Sequence, residues 1–287
     1  MEPIRLLVNP QSGAGAALAA AGQVEGLIRA RGHDVDRIQT ENQAHTVEVA
    51  AADDSHRIIV LGGDGMFHHV LQGVAGSGRP VGLVPVGTGN DFARALDLPR
   101  HDLSAAVDVA LGPVRPFDAV RTEAGWFATI ATFGISATVN ARGNAMKWPK
   151  GDLRYTIATL IELPRASTEA VELEIDGQVS HHEANFVAIA NTRFFGGGMD
   201  VCPDAEPGDG LLEVGVVGPA GRFELLRMFP KLFDGGHVDH PAFTSFTGRR
   251  VTLRSDHVVR ADGEPLGDSP LVFEAVPAAL EMAAGSL

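Results

Sequence analysis

The chain has 287 residues, 45% hydrophobic and 21% charged, with a formal net charge of −13. That balance suits one large or two medium globular domains and argues against disorder. An acidic chain with only three lysines, Lys147, Lys150 and Lys231, excludes broad nucleic-acid binding, which rests on neutralising phosphates with Lys and Arg.

Cys202 is the only cysteine, so no intrachain disulfide can form, as in a reducing compartment. The first residues show no basic stretch followed by a long apolar run, so no signal peptide is read there. No apolar stretch approaches the ~20 residues of a membrane span. A cytoplasmic protein is expected.

Taken in chain order, the first half alternates strand and helix. Residues 4–8 read as a strand ended by Asn9-Pro10. Residues 15–31 carry Leu18, Val24, Leu27 and Ile28 at helical spacing and stop at Gly32. Residues 35–38 read as a strand and 44–52 as a helix. Residues 58–61 are a buried strand running into Gly62-Gly63-Asp64-Gly65. A helix over 67–74, a strand over 81–84 and helices over 91–96 and 103–111 follow. This order predicts a mostly parallel sheet covered on both faces.

The rhythm changes near Pro116. Strand-like stretches then fall at 119–122, 126–133, 170–175, 186–191, 211–217, 250–253, 257–261 and 271–275, parted by turn residues such as Asp176-Gly177 and Asp262-Gly263. That spacing predicts an antiparallel β-rich domain, interrupted by helices near 155–163 and 223–233. The domains expected are 1–118 and 119–287, with about 276–287 free to return to the first.

Two phrases carry chemistry. Gly62-Gly63-Asp64-Gly65 follows a buried strand and precedes a helix. Glycines let backbone N–H groups approach an anion closely, and a helix N-terminus favours negative charge. An Asp there suits a magnesium ion or an attacking hydroxyl better than a phosphate; its plain alternative is a helix cap. The second phrase, Gly87-Thr88-Gly89-Asn90-Asp91-Phe92-Ala93-Arg94, also joins a strand to a helix. Loops ending successive strands should lie side by side where open α/β sheets bind ligands. No P-loop, protein-kinase, nucleophile-elbow or zinc-protease motif occurs.

With Asn9-Pro10-x-Ser12-Gly13, Phe194-Phe195-Gly196-Gly197-Gly198-Met199, Ala205-x-x-x-Asp209-Gly210-Leu211 and Asp262-Gly263-Glu264, these phrases stand in the order found in diacylglycerol-kinase catalytic domains. From residue 4 to about 266 the chain resembles the soluble bacterial branch of that family, which includes sphingosine-type lipid kinases. The resemblance implies an α/β nucleotide-binding domain of NAD-kinase/diacylglycerol-kinase type and a β-sandwich-like C-terminal domain. It implies ATP and Mg²⁺, and a lipid alcohol as acceptor. It places nucleotide on Asn9, Thr40, Gly62, Gly63, Asp64, Gly65, Gly87, Thr88, Asn90 and Asp91. Asp64 and Asp91 would serve phosphate and metal, and Glu264 with Asp262 would take the proton of the lipid hydroxyl. A structural Mg²⁺ would sit on the Asp209 carboxylate and the carbonyls of Glu206 and Leu211. Met66 departs from the family's usual Thr and removes a hydroxyl beside the loop.

Other features have two readings. The basic, aromatic stretch Arg142, Lys147, Trp148, Lys150, Arg154 and Tyr155 is either a contact for anionic lipid headgroups or a solvated loop. Phe195–Gly198 is either a floppy loop or a wall of the lipid site. An NAD-kinase-like soluble substrate and a degenerate, non-catalytic binding protein stand as the alternatives. A homodimer is left open.

Overall fold

The computed structural model describes residues 4–52, 56–146, 148, 153–255, 259–262, 264–267 and 269–285. Two compact units divide the chain, Met1–Ala119 with Pro277–Leu287, and Val120–Val276.

Unit one starts with strand β1 (Ile4–Val8), helix α1 (Ala16–Ala30), β2 (Val35–Gln39) and α2 (Gln43–Ala51). Next come β3 (Arg57–Gly62), α3 (Asp64–Val74), β4 (Pro80–Pro85), α4 (Asp91–Ala95) and α5 (Leu103–Ala110). Its strands run parallel in the order β2-β1-β3-β4. Alternate strand residues Ile4, Leu6, Val8, Ile59 and Leu61 pack with Ala17, Val24 and Ile28 of α1 and Val107 of α5. Leu7, Ile58 and Val60, buried completely, point to the other face by the two-residue period of a strand. There α2 and α3 touch closely, since a β-carbon on Gly73 would lie 2.8 Å from Ala50 and Val47.

The helix of the first glycine phrase begins earlier than the pattern suggests. Asp64 and Gly65 already form its first turn. The apolar period starts only at Met66, so it hides the turn before it. Met66 itself is 4% exposed, its side chain turned inward.

Unit two holds two facing sheets. The chain passes through β5 (Val114–Thr122), β6 (Gly125–Phe127), β7 (Ile130–Gly134), α6 (Ile135–Ala145) and α7 (Leu153–Glu162). It continues with β8 (Glu169–Ile175), β9 (Gln178–Ala184), β10 (Phe186–Ala190), the hairpin β11 (Phe194–Phe195) and β12 (Met199–Asp200), and β13 (Leu212–Val217). After α8 (Arg222–Met228) come β14 (Phe243–Gly248), β15 (Arg250–Arg254), β16 (Arg260–Ala261), β17 (Glu264–Pro265) and β18 (Leu271–Ala283). One sheet has the order β14-β13-β10-β7-β16-β17; in the other, β15 lies between β18 and β8, with β9 outermost. Val187, Ile189, Val214 and Phe133 of the first meet Val171, Leu173, Leu253 and Phe273 of the second in one apolar core. That is a β-sandwich.

Three expectations change. The stretch 126–133 is two strands, because the chain turns at Ala128-Thr129 between β6 and β7. Strand β18 runs to Ala283, past the expected 275, and its end pairs Glu281 and Met282 with Pro80 and Val81 inside unit one. There Asp118, 2% exposed, accepts the Ala278 N–H at 3.0 Å. Strands β9 and β14 escaped the sequence pattern. The Gln178–Ala184 stretch is polar, and it is a strand because the Asp176-Gly177 turn folds it onto β8 along its length. Residues 256–258 of the expected 257–261 strand lie outside the described residues.

Candidate active site

Four neighbouring parallel strands end along one edge of unit one. Strand order reverses between β1 and β3, and such a switch point is where open α/β sheets bind ligands. The residues that follow these strands are Asn9, Thr40, Gly63 and Val86, so the sequence-predicted nucleotide residues converge there.

Each loop is held by its own backbone logic. After β1, Asn9 Oδ1 accepts the Gln11 N–H at 2.9 Å and the Asn9 carbonyl accepts the Ser12 N–H at 3.0 Å. Gly13 follows at φ +59, and a β-carbon there would lie 2.5 Å from the Val86 carbonyl oxygen. Only glycine fits. After β2, Thr40 donates its N–H to the Val8 carbonyl at 2.9 Å. Its fully buried hydroxyl has no hydrogen-bond partner among the described residues.

The two glycine phrases touch backbone to backbone. A β-carbon on Gly63 would lie 2.9 Å from the Gly87 Cα, and one on Gly87 would lie 2.7 Å from the Gly63 Cα. Asn90 clamps the second loop. Its Oδ1 accepts the Gly87 N–H at 3.1 Å and its Nδ2 donates to the Gly87 carbonyl at 2.8 Å. It does so from a left-handed backbone at φ 51, a conformation Asn tolerates better than most residues. Its amide therefore braces the loop, while Gly65 and Thr88 face solvent.

Asp64 joins the loops. Its Oδ2 accepts the Asp91 N–H and its Oδ1 the Phe92 N–H, both at 3.1 Å. It caps α4, not its own helix, and one turn on, the rings of Phe67 and Phe92 stack at 4.2 Å. Both carboxylates come near Gly89, whose β-carbon would lie 3.0 Å from Asp64 Oδ2 and 3.9 Å from Asp91 Oδ2. Asp91 is 9% exposed. Carboxylate oxygens are donors of the kind that suits Mg²⁺; both Asp64 oxygens already accept N–H groups, so Asp91 is the carboxylate here that fits the ion.

The other acids lie in unit two. Asp262 is a bracket: its Oδ1 accepts the N–H (3.2 Å) and hydroxyl of Thr129, and its Oδ2 the Ala128 N–H at 3.3 Å. It holds the turn between β6 and β7. Asn191 supports the same turn, donating Nδ2 to the Ala128 carbonyl at 2.9 Å. Glu264, paired with Ala261 across the β16–β17 hairpin, points into solvent. Gly263 lies outside the described residues. Thr129 and Asn191 carry no local sequence signal for this role, since 133 residues separate Thr129 from Asp262.

The Glu206–Leu211 loop closes on itself. The Glu206 carbonyl accepts the N–H groups of Gly208 (2.8 Å) and Asp209 (3.4 Å), and Asp209 Oδ1 accepts the Leu211 N–H at 2.8 Å. A cation on the Glu206 carbonyl would compete with both N–H groups, so these residues fit a metal poorly as they stand. Among the described residues no three His, Cys, Asp or Glu side chains converge as a metal cluster.

The triple-glycine stretch is an ordered hairpin. Gly196, Gly197 and Gly198 all have positive φ. The hairpin is closed by Phe194–Asp200 pairing and by Arg193, whose Nη2 lies 2.5 Å from Asp200 Oδ2. The Asp200 carboxylate holds the Arg193 guanidinium above its ordinary pKa. Nearby, burial pushes the Cys202 thiol well up and raises the Glu213 carboxyl, while it lowers His237. His237 Nε2 meets the Val201 carbonyl at 2.9 Å. Arg142, in the stretch read either as a lipid-headgroup contact or as a solvated loop, pairs with Glu162; Lys147 and Lys150 lie outside the described residues.

Residues 3–122 match the diacylglycerol kinase catalytic domain, and residues 129–284 match the YegS C-terminal NAD kinase beta sandwich-like domain. The chain belongs to the diacylglycerol kinase family. Within it, a diacylglycerol kinase of Mycobacterium tuberculosis is 36% identical over 97% of this chain and 94% of its own length. The solved structure of a diacylglycerol kinase from Bacillus anthracis aligns at a TM-score of 0.80 with 23% identity, over 99% of this chain and 97% of that one. An NAD kinase from Archaeoglobus fulgidus, solved in complex with ATP, aligns at 0.56 with 14% identity over 98% and 93%. These structures share the family's fold: a mixed α/β catalytic domain followed by the sandwich. Among the described residues no helix is long and apolar enough to cross a membrane.

Proposed function

We propose that this member of the lipid kinase family transfers the γ-phosphate of ATP, with Mg²⁺, to the hydroxyl of a diacylglycerol-like or sphingoid lipid. The observation that carries the reading is the backbone contact of Gly63 with Gly87 beneath the adjacent carboxylates of Asp64 and Asp91. Phosphoryl transfer asks a protein mainly for positioning and charge neutralisation. When bound, the metal ion would neutralise charge on the phosphates.

The glycine backbones would admit the phosphates and Asp91 would hold the ion, with Asp64, whose two oxygens accept the Asp91 and Phe92 N–H groups, positioning it. Glu264 would accept the proton as the lipid oxygen bonds to phosphorus and ADP leaves with the broken P–O bond. Asp262, with both oxygens committed to the 128–129 turn, is a positioning residue. Met66 is buried, and the transfer assay below decides between this reading and a degenerate, non-catalytic one. The protein would meet its lipid from the cytoplasm at a membrane surface.

The test is transfer from labelled ATP and Mg²⁺ into diacylglycerol, sphingosine, ceramide and phosphatidylglycerol in mixed micelles, with NAD beside them. Label in one lipid is expected. Label in NAD alone, or in nothing, overturns the reading.

A further inference from the structure

Nine large hydrophobic side chains stand exposed among the described residues, and five belong to two neighbouring segments of unit two. Leu160 and Ile161 end α7. Phe223, at 63% exposure, Phe233, at 47%, and Val238 lie on α8 and the 3-10 turns after it. Leu163, Leu225, Met228 and Phe229 of these segments share one buried cluster. The inner side of residues 222–233 is therefore anchored while its outer side carries phenylalanines into water. A merely solvated face has no need of them.

The charges on that outer side are unusual for this chain. Residues 222–233 hold Arg222, Arg227 and Lys231 against one acid, Glu224, although the whole chain carries −13. Glu224 is turned back onto the Gly221 N–H at 2.7 Å. The Arg222 guanidinium lies over the exposed Phe223 ring at 4.9 Å. Two exposed acids lie just beyond, Asp239 and Asp234, of which Asp234 accepts the Gly236 N–H at 3.1 Å. Aromatic side chains flanked by basic ones on an anchored helix are the chemistry of an interfacial segment.

We propose that the Arg222–Phe233 face docks the protein onto an anionic lipid bilayer. Phe223 and Phe233 enter the headgroup boundary, and Arg227 and Lys231 meet lipid phosphates. The inference rests on the reading that the acceptor is a lipid, which must be met at a membrane surface. Charge favours the bilayer over a second copy of this chain, because a two-fold contact through this face would set basic residues against their own copies.

The test is sedimentation of the full chain with vesicles of phosphatidylglycerol and phosphatidylcholine, against phosphatidylcholine alone. The unmodified protein is expected on the anionic vesicles. Phe223→Ser/Phe233→Ser should fall to the phosphatidylcholine background, and Arg227→Gln/Lys231→Gln should bind roughly 30-fold more weakly. Both variants should keep the unmodified melting temperature and transfer to a short-chain, water-soluble diacylglycerol. Undiminished vesicle binding by both variants overturns the proposal. So does a dimer that Phe223→Ser/Phe233→Ser turns into a monomer with vesicle binding intact. If the unmodified protein transfers nothing to any lipid of the panel above, the phosphotransfer reading fails, and vesicle binding by the variants still decides the surface.

Discussion

The Asp64 carboxylate accepts the backbone N–H of Asp91 at 3.1 Å, so the acid of the first glycine loop is the cap that starts the helix of the second. Asp64→Ala should therefore cost stability as well as activity. Loss of a helix cap is worth about 1 kcal/mol, and urea unfolding should show a loss of unfolding free energy of that size. Asp64→Asn, which keeps one acceptor oxygen, should lose less stability but the same activity.

The contact between Gly63 and Gly87 makes a paired glycine test. A β-carbon at Gly87 would collide with the Gly63 backbone, so Gly87→Ala should destabilise by about 1–3 kcal/mol. A β-carbon at Gly65 would meet nothing within 4 Å, and Gly65 lies in the first turn of a helix. Gly65→Ala should be neutral or stabilise by up to ~1 kcal/mol. Thermal melting of the two variants separates close approach from helix propensity.

Asp262 and Glu264 should separate by readout. Glu264 is exposed, so Glu264→Gln should leave the melting temperature alone and lower turnover by roughly 10²–10⁴-fold. Asp262→Ala strips the Ala128-Thr129 turn of its acceptors. It should lower the melting temperature, and Thr129→Val should do so in part. Full turnover in Glu264→Gln would remove it as the proton acceptor.

Glu213 and His237 predict opposite pH dependences. Burial raises the Glu213 carboxyl, so the folded state holds its proton more firmly and stability falls as pH rises from the ordinary carboxylate range through the raised value. Glu213→Gln should stabilise at neutral pH, and the gain should vanish in acid. Burial lowers His237, so the unfolded chain binds the proton first. Stability is then lost as pH falls from about 6.5 toward the depressed folded value. Urea titrations from pH 4 to 8 on the unmodified protein and Glu213→Gln would show both slopes.

The parallel sheet, the two glycine phrases and the family were legible in the sequence because their signals are local. Apolar runs, glycine spacing and turn residues act within a few positions. The polar strand β9 was not legible, because it is a strand only by lying along β8. Nor could spacing show that Asp64 caps a helix 27 residues on, that Asn90 braces Gly87 rather than facing solvent, or that Asp262 closes a turn 134 residues before it. Asp262-Gly263-Glu264 looks like one catalytic phrase, and only folding divides it into a bracket and an exposed acid. Sequence determined which residue types stand at each strand end. Tertiary structure decided which of their polar atoms are already spent, since hydrogen bonds join groups that the chain brings together only when it folds.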